Sequence, residues 1–288
     1  MAQVFVNGLI AGVYIALVGC SFFFIYRIQR FFHFGHAAFI TLGAYLTRMF
    51  LDILPSAPWL GIILGILATG FISILIERCL FRKLSDRSAS ALVLLLVSLG
   101  VYIVLENSIA VVFGDRIRLL SNEQVRTGIA LGPIVIARTQ ITIATVSTFA
   151  IVASAAALRY TPLGQGFRAV GEDPLLAEIA GIPSTRIATT SFFWGSALAG
   201  VAGCLQALDG GMTPSMGMRP FMVGVVAFVI SGQTGLGTVF VAGVFLGVLR
   251  NFATWYFHTQ WQDALVFTVL LVFLVVRPSG VKTLESRA

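Results

Sequence analysis

Long apolar runs make up most of this chain, and its polar residues are gathered in the short segments between them. A helix needs about 20 mostly apolar residues to cross a bilayer, whereas about a quarter of the residues of a soluble domain are charged. Here 11% of the 288 residues are charged and 58% are hydrophobic. The sequence therefore predicts an all-α fold, a polytopic membrane helix bundle with eight or nine transmembrane spans and no sizeable soluble domain.

The predicted spans comprise residues 1–26, 37–51, 59–76, 89–113, 139–158, 187–208, 221–230, 238–256 and 263–276. The first run is too long for the core of a signal peptide and lacks a basic start, so it is predicted to stay as a helix. Two runs, 37–51 and 221–230, are short. Nine crossings result if both of them cross fully. Pairs of small residues four apart, such as Gly8 with Gly12 and Ala199 with Gly203, are interpreted as helix-packing positions.

Basic residues beside the spans predict their orientation. Arg27 and Arg30 follow the first span and no basic residue precedes it, which puts the N-terminus outside and these arginines in the cytoplasm. Alternation of the spans then places segments 77–87 and 159–186 in the cytoplasm. The segment 114–138 is predicted to be external.

Further charges bear on the predicted location of the C-terminus and of the external segment 114–138. Arg277, Lys282 and Arg287 predict a cytoplasmic C-terminus. The external segment also carries basic residues, and its acids offset them only in part. These charged residues are Arg116, Arg118, Arg126 and Arg138, with Asp115 and Glu123.

Several other kinds of site are not indicated. The basic residues behind the net charge of +7 are dispersed, so no nucleic-acid track is predicted. The three cysteines are scattered and form neither a disulfide nor a zinc pattern. His33 and His36 form an H-x-x-H pair without a nearby third ligand, so a polar break at a helix start is favoured over a metal site. No metal or cofactor is expected.

The segment 159–186 is a polar island with three arginines, three acids and three prolines, so it cannot lie in the hydrocarbon. Its helix signals predict one helix over 174–180. Asp173 suits the N-cap, Pro174 the first helical position and Gly181 the position after the end, while Pro183 prevents continuation.

A helix of about two turns is not stable alone, so something must pack on it. Leu175, Leu176 and Ile179 form a short apolar ridge, hereafter the ridge, on this helix. Two interpretations are open. The helix folds back on its own bundle, or it is a surface helix that docks into a partner.

The run from Arg168 to Pro174, followed by Ala177 and then Gly181 and Ile182, resembles the cytoplasmic coupling loop of ABC importer permeases. More narrowly, it resembles the branched-chain amino acid permease family of LivH and LivM. In that family the loop fits a cleft in the ATPase subunit and transmits its closing stroke. The resemblance implies that ATPase coupling involves Arg168, Glu172, Asp173, Pro174, Ala177, Gly181 and Ile182.

Other segments resemble the same family. Residues 33–45 are similar to the GHAAF…GAY signature of the LivM branch, residues 7–9 to the LivH branch, and residues 235–238 to a late G-L-G-S element. No Gly-Lys dipeptide occurs in the chain, which excludes a Walker A loop. The chain is therefore not expected to be an enzyme, and ATP hydrolysis must come from another chain.

Polar groups inside spans are costly, about 2.5 to 3.5 kcal/mol for a charge at mid-depth, and are candidates for function. Interhelical hydrogen bonding is the alternative role, and Glu106 is the strongest single candidate for the pathway. The candidates for lining a translocation pathway are Thr41, Ser98, Glu106, Asn107, Gln206 and Ser231.

The resemblance implies one transmembrane permease domain over 1–288, with its coupling loop at 159–186, in an ABC importer for branched-chain or other hydrophobic amino acids. It implies a multi-pass protein of the bacterial inner membrane, in contact with membrane lipid. The implied partners are a homologous second permease, as a heterodimer or a homodimer, two cytoplasmic ATP-binding subunits and an external solute-binding protein. Two alternatives are the permease of a urea or short-amide importer, and a secondary transporter or channel that acts alone.

Overall fold

The computed structural model describes residues 1–120, 128–131, 134–257 and 259–276. Seven helical segments in these ranges are long and apolar enough to cross a membrane, which confirms an all-α polytopic membrane protein. The helices are α1 (Ala2–Gln29), α2 (His36–Ile53), α3 (Pro58–Ile76), α4 (Arg82–Ser85), α5 (Ala91–Phe113), α6 (Arg138–Tyr160), α7 (Pro162–Glu172), α8 (Pro174–Ile179), α9 (Ser184–Gly210), α10 (Met218–Ile230), α11 (Leu236–Tyr256) and α12 (Gln262–Val276).

The two predicted spans that were short in sequence are also the exceptions in the structure. Helix α2 has 18 residues but includes Arg48 and Asp52, which form an ion pair at 2.8 Å. Helix α10 has 13 residues, too few for about 30 Å of hydrocarbon at 1.5 Å per residue. Neither belongs to the seven long apolar segments. The orientation of the termini stays a prediction, and Glu123, Arg126, Arg277, Lys282 and Arg287 lie outside the described residues.

A small antiparallel hairpin lies in the segment predicted as an external loop. Strand β1 (Gly128–Leu131) pairs with β2 (Ile134–Ala137), with Gly128 opposite Ala137 and Leu131 opposite Ile134. The β-branched residues of β2 favour this extended backbone. The hairpin was not predicted, because the charges of this segment indicate an external location but not its secondary structure.

The chain divides into two compact units. The first consists of Met1–Phe23, Glu123–Ile151 and Arg219–Ala288, so far as these ranges are described, and its core includes Ile15, Val226 and Leu246. In this unit α1 packs on α11 through glycines. A Cβ atom added at Gly12 would lie 2.6 Å from the Cα of Val244, so only glycine permits this approach.

The second unit consists of Phe24–Asn122 and Val152–Met218. Helix α2 packs here against both α3 and α9. A Cβ atom added at Gly65 would lie 2.4 Å from Thr47 Oγ1, and one added at Gly203 would lie 1.8 Å from the carbonyl oxygen of Ile40. These contacts confirm that the small-residue pairs of the sequence are helix-packing positions.

Helix α3 does not end at the predicted boundary. It continues through a π-helical turn, Glu77–Phe81, into α4 and reaches Ser85, so much of the predicted cytoplasmic segment 77–87 is helical. Within the turn Glu77 is 1% exposed and accepts hydrogen bonds from Arg82 and Thr189. Thr189 lies 112 residues further along the chain, so the sequence carries no local signal for this pairing.

Several helices carry large apolar side chains on their outer surfaces. Val111 on α5, Phe149 on α6 and Val275 on α12 are each more than 70% exposed. Apolar side chains outside the core are stable in lipid, where exposed backbone groups are not. This distribution is the one expected of helices that lie in a bilayer.

Candidate partner-docking site

The short helix α8 is closed at its N-terminus by the side chain of Asp173. The Oδ1 atom of this carboxylate accepts hydrogen bonds from the backbone N–H groups of Leu175, at 2.8 Å, and Leu176, at 3.1 Å. Pro174 occupies the first helical position, where a missing N–H costs nothing. The predicted helix start is confirmed.

The other end of α8 is closed by Gly181. Its φ of +82° lies in the left-handed region that favours glycine. The N–H of Gly181 donates to the carbonyl of Glu178 at 2.9 Å, and the N–H of Ile182 donates to that of Ala177 at 2.9 Å. This bond pair is a Schellman motif. The helix ends at Ile179, one residue before the predicted end, and the predicted place of Gly181 after the end of the helix is confirmed.

A second helix, α7, occupies the first half of the polar island, so the prediction of a single helix was wrong. The Thr161 hydroxyl accepts a hydrogen bond from the N–H of Gly164 at 3.1 Å, and Pro162 is at the first helical position. This is the cap-then-proline signal that also starts α8. Phe167 and Val170 bury the inner face of α7, and this packing outweighs the low helix propensity of its glycines.

Helix α7 is fixed to the end of α1. The Arg30 guanidinium donates a hydrogen bond to the carbonyl of Gly171, and the Phe167 ring lies 5.3 Å from that of Phe24. A Cβ atom added at Gly171 would lie 3.0 Å from Arg27 Cγ, so glycine lets the arginine pack across the helix end. The predicted coupling residue Arg168 donates to the carbonyl of Leu158, at the end of α6.

The ridge points away from the protein. Leu175, Leu176 and Ile179 are 68%, 62% and 76% exposed, whereas Ala177 on the opposite side of α8 is 4% exposed. The neighbouring acids Glu172, Asp173 and Glu178 are also exposed, and carboxylates do not suit hydrocarbon. An exposed apolar patch with a charged border is typical of a protein contact surface. The arrangement therefore favours docking over the alternative in which this helix folds back on its own bundle.

Four of the six predicted pathway residues form hydrogen bonds with backbone groups of the protein. Thr41 accepts from the N–H of Gly217 at 3.1 Å, and Ser98 accepts from the N–H of Phe34 at 3.0 Å. The Ser231 hydroxyl and the exposed Asn107 amide each donate to a carbonyl of their own helix turn, that of Phe228 or of Ile103. The bonds of Thr41 and Ser98 join separate segments and fit the alternative role in hydrogen bonding between helices, whereas those of Ser231 and Asn107 stay within one helix.

The remaining two pathway candidates are half-buried. Glu106 is hydrogen-bonded to Tyr102, one turn before it on α5, and Gln206 lies near the end of α9. The role of all six residues in translocation stays a prediction.

The two histidines lie at the start of α2, which begins at His36 as expected for a polar break. His33 is fully buried among aromatic rings, with the ring of Phe81 at 4.9 Å and that of Phe192 at 5.3 Å. Burial lowers the pKa of His33 well below its ordinary value, so the ring is neutral. Among the described residues no three His, Cys, Asp or Glu side chains are grouped as metal ligands.

Comparison with known proteins points to one family. A family profile described as "Branched-chain amino acid transport system / permease component" matches residues 4–275. The permease protein LivH of the high-affinity branched-chain amino acid transport system of Escherichia coli K12 is 28% identical over 294 residues, which are 96% of this chain and 93% of LivH. The corresponding protein BraD of Pseudomonas aeruginosa is 28% identical over 97% of this chain and 94% of BraD.

One solved structure is also similar. It is titled "PsaBC from Streptococcus pneumoniae in complex with Fab", and the matched chain superposes with a TM-score of 0.53 over 96% of this chain and 91% of that chain. The two sequences are 11% identical, so the match shows a shared fold and nothing more specific.

Proposed function

Because this chain belongs to the family of branched-chain amino acid transport permeases, we propose that it is the membrane subunit of an ABC importer for branched-chain or other hydrophobic amino acids. The relatives LivH and BraD are named as permeases of high-affinity branched-chain amino acid systems, and the match spans nearly their whole length. The chain acts as one permease domain in the bacterial cytoplasmic membrane. A mostly apolar passage with few charges suits a zwitterion that has an apolar side chain.

The chain works with partners. It pairs with a homologous permease, as a heterodimer or a homodimer, and an external solute-binding protein supplies most of the selectivity. The sequence has no Gly-Lys dipeptide and so no Walker A loop, which leaves ATP hydrolysis to two separate cytoplasmic subunits.

The ridge on α8 is the observation that carries the proposed coupling. A six-residue helix with large apolar side chains on its outer face is unstable alone. The hydrogen-bonded caps stabilise both of its ends, so its apolar face is available to a partner. We expect a cleft in the ATP-binding subunit to cover the ridge, with the exposed acids at its border.

Contacts within the second unit supply the route from α8 into the membrane helices. Asp173 both ends α7 and caps α8, so the two helices are joined without a linker. Arg30 ties the end of α7 to the end of α1, and α9 begins at Ser184, directly after the Schellman turn and Pro183. A displacement of α8 is therefore passed to α7, to the end of α1 and to the start of α9, as alternating access requires.

Reconstitution into proteoliposomes tests this function. With the second permease, the ATP-binding subunits, the binding protein and ATP, leucine uptake is expected, and it should stop when ATP is replaced by a non-hydrolysable analogue. The chain alone in an ion gradient should not transport leucine. Uptake by the chain alone, driven by the gradient, would contradict the proposal. A preference of the assembled transporter for urea over leucine would instead identify it as a urea or short-amide importer.

A further inference from the structure

A groove of about 570 Å³ lies between the end of α3 and the start of α9 in the second unit. Its polar end carries the guanidinium groups of Arg78, Arg82 and Arg186 together with threonine hydroxyls. Its other end is lined by Phe71, Ile74 and Phe193. We call this feature the arginine groove.

The π-helical turn builds the polar end. The wide turn brings residues five apart together, so Arg82 approaches Glu77 with both Nε and Nη2 at 3.3 Å from carboxylate oxygens. Thr189 on α9 donates to the same carboxylate at 3.1 Å and accepts a hydrogen bond from Arg82. This bonded triad fixes Arg82 and joins α9 to the turn.

The triad leaves unbalanced positive charge in the groove. None of the described residues that line the groove is acidic, and the carboxylate of Glu77 is buried and held by Arg82 and Thr189. The side chains of Arg78 and Arg186 are exposed and make no hydrogen bond or ion pair to any residue that the structure describes. Of the three guanidinium groups in the described lining, only that of Arg82 is paired with a carboxylate, so the groove favours a ligand with negative charge.

The apolar end continues along the same helix. Phe71, Ile74 and Arg78 are three and then four residues apart, so they share one face of α3 and its continuation. A rise of 1.5 Å per residue puts Phe71 roughly 10 Å from Arg78 along this axis. Phe71 is 62% exposed and its ring lies 5.3 Å from that of Phe193. The groove thus joins a cationic end to an apolar floor on a helix that is long and apolar enough to cross the membrane.

We propose that the arginine groove binds an anionic phospholipid, with its phosphate between Arg78 and Arg186 and an acyl chain on Phe71 and Phe193. A basic site at the end of a membrane helix is complementary to an anionic headgroup, and the apolar floor is complementary to the attached chain. A small anion would use only the polar end. A soluble protein partner would have no reason to cover Phe71 within the membrane helix.

Lipid titration of the purified full-length chain in detergent, followed by native mass spectrometry, tests the proposal. Dioleoylphosphatidylglycerol should bind at least about tenfold more tightly than dioleoylphosphatidylcholine. Replacing both free arginines, Arg78→Gln with Arg186→Gln, should abolish this preference, and Arg78→Lys with Arg186→Lys should retain most of it. Phe71→Ala should weaken binding of both lipids.

The matched control removes two charges near the groove but outside its lining, Lys83→Gln with Arg87→Gln. This pair should keep the lipid preference, and every variant should keep the thermal midpoint of the parent chain. An equal loss in the control, or displacement of the lipid by millimolar inorganic phosphate, would overturn the proposal. The proposal would also be overturned if the variant with Arg78→Gln and Arg186→Gln kept its lipid preference and lost only its affinity for the ATP-binding subunit.

Discussion

Gly181 sets the end of the docking helix through its backbone alone. Its φ is +82°, and a Cβ atom added there would meet no atom within 4 Å. The requirement for glycine is therefore conformational and not steric, since a side chain would fit but the left-handed backbone disfavours it. Without this turn the carbonyls of Ala177 and Glu178 would lose their Schellman partners.

We expect Gly181→Ala to destabilise the end of α8 by about 1 kcal/mol. Faster hydrogen exchange at the amides of Gly181 and Ile182, which the Schellman motif protects, would report the change. Gly210→Ala is the matched control, because a Cβ atom added there would also meet no atom within 4 Å, but Gly210 is the last residue of α9 and has no positive φ. Equal effects of the two substitutions would show that the left-handed turn is not the reason for glycine at position 181.

Among the contacts between described helices, the one between α2 and α9 is the most tightly packed. A Cβ atom added at Gly203 would lie 1.8 Å from the carbonyl oxygen of Ile40, and one added at Gly43 would lie 2.3 Å from the Cα of Gly200. Both neighbours are backbone atoms, so no side chain can rotate away. Relief requires the two helices to separate.

Gly203→Ala is therefore expected to cost about 3 kcal/mol or more of stability, at the upper end of the range for an overpacked core. The thermal midpoint of the purified chain in detergent measures it. Gly100→Ala on α5 is the control, since a Cβ atom there meets no atom within 4 Å, and its midpoint should not fall. An unchanged midpoint for Gly203→Ala would mean that the helices lie further apart than the structure has them.

The ridge on α8 should dominate binding to the ATP-binding subunit. Leu175→Ser combined with Leu176→Ser removes two of its three exposed apolar side chains without touching the caps, so the affinity should fall about tenfold or more. The control pair, Ile117→Ser with Leu119→Ser, changes exposed apolar residues of a segment predicted to be external. Co-purification of the subunit with each variant measures the loss. Unchanged binding of the ridge variant would contradict the docking interpretation.

The two helices of the polar island, α7 and α8, show what could and could not be predicted from the sequence. The caps of α8 are local, because Asp173, Pro174 and Gly181 act within a few residues, and all three could be assigned before the structure. Helix α7 depends on tertiary contacts. Gly171 is conformationally costly in a helix until Arg27 and Arg30 pack against it, and Arg30 lies 141 residues earlier in the chain.

The long-range polar contacts could not be predicted from the sequence either. Glu77 stands in a basic segment that is predicted to be cytoplasmic, but the π-helical turn and Thr189 bury it. The apolar spans could be predicted because length and composition determine them. The pairing of their few polar groups depends on which helices become neighbours.

For the whole molecule, the predicted orientation puts the segment that contains α8 in the cytoplasm and the segment after α5 outside. Ala180→Cys and Asp115→Cys introduce thiols at exposed positions in these two segments. Cys79 is exposed and must first be replaced by Ser, whereas Cys20 and Cys204 are buried. In intact cells a membrane-impermeant maleimide should label only the thiol introduced at position 115, and in inverted vesicles only the one at position 180. The reverse pattern would place α8 where no ATP-binding subunit could reach it.

The proposed coupling requires that a separate ATP-binding chain holds α8. Photo-crosslinking from position 176 in the assembled transporter tests it most directly, with benzoylphenylalanine in place of Leu176, and in place of Ile117 as a comparably exposed control. We expect an adduct between this chain and the ATP-binding subunit from position 176 and none from position 117. Adducts from position 176 that join it only to its own chain or to lipid would show that no ATP-binding subunit holds α8.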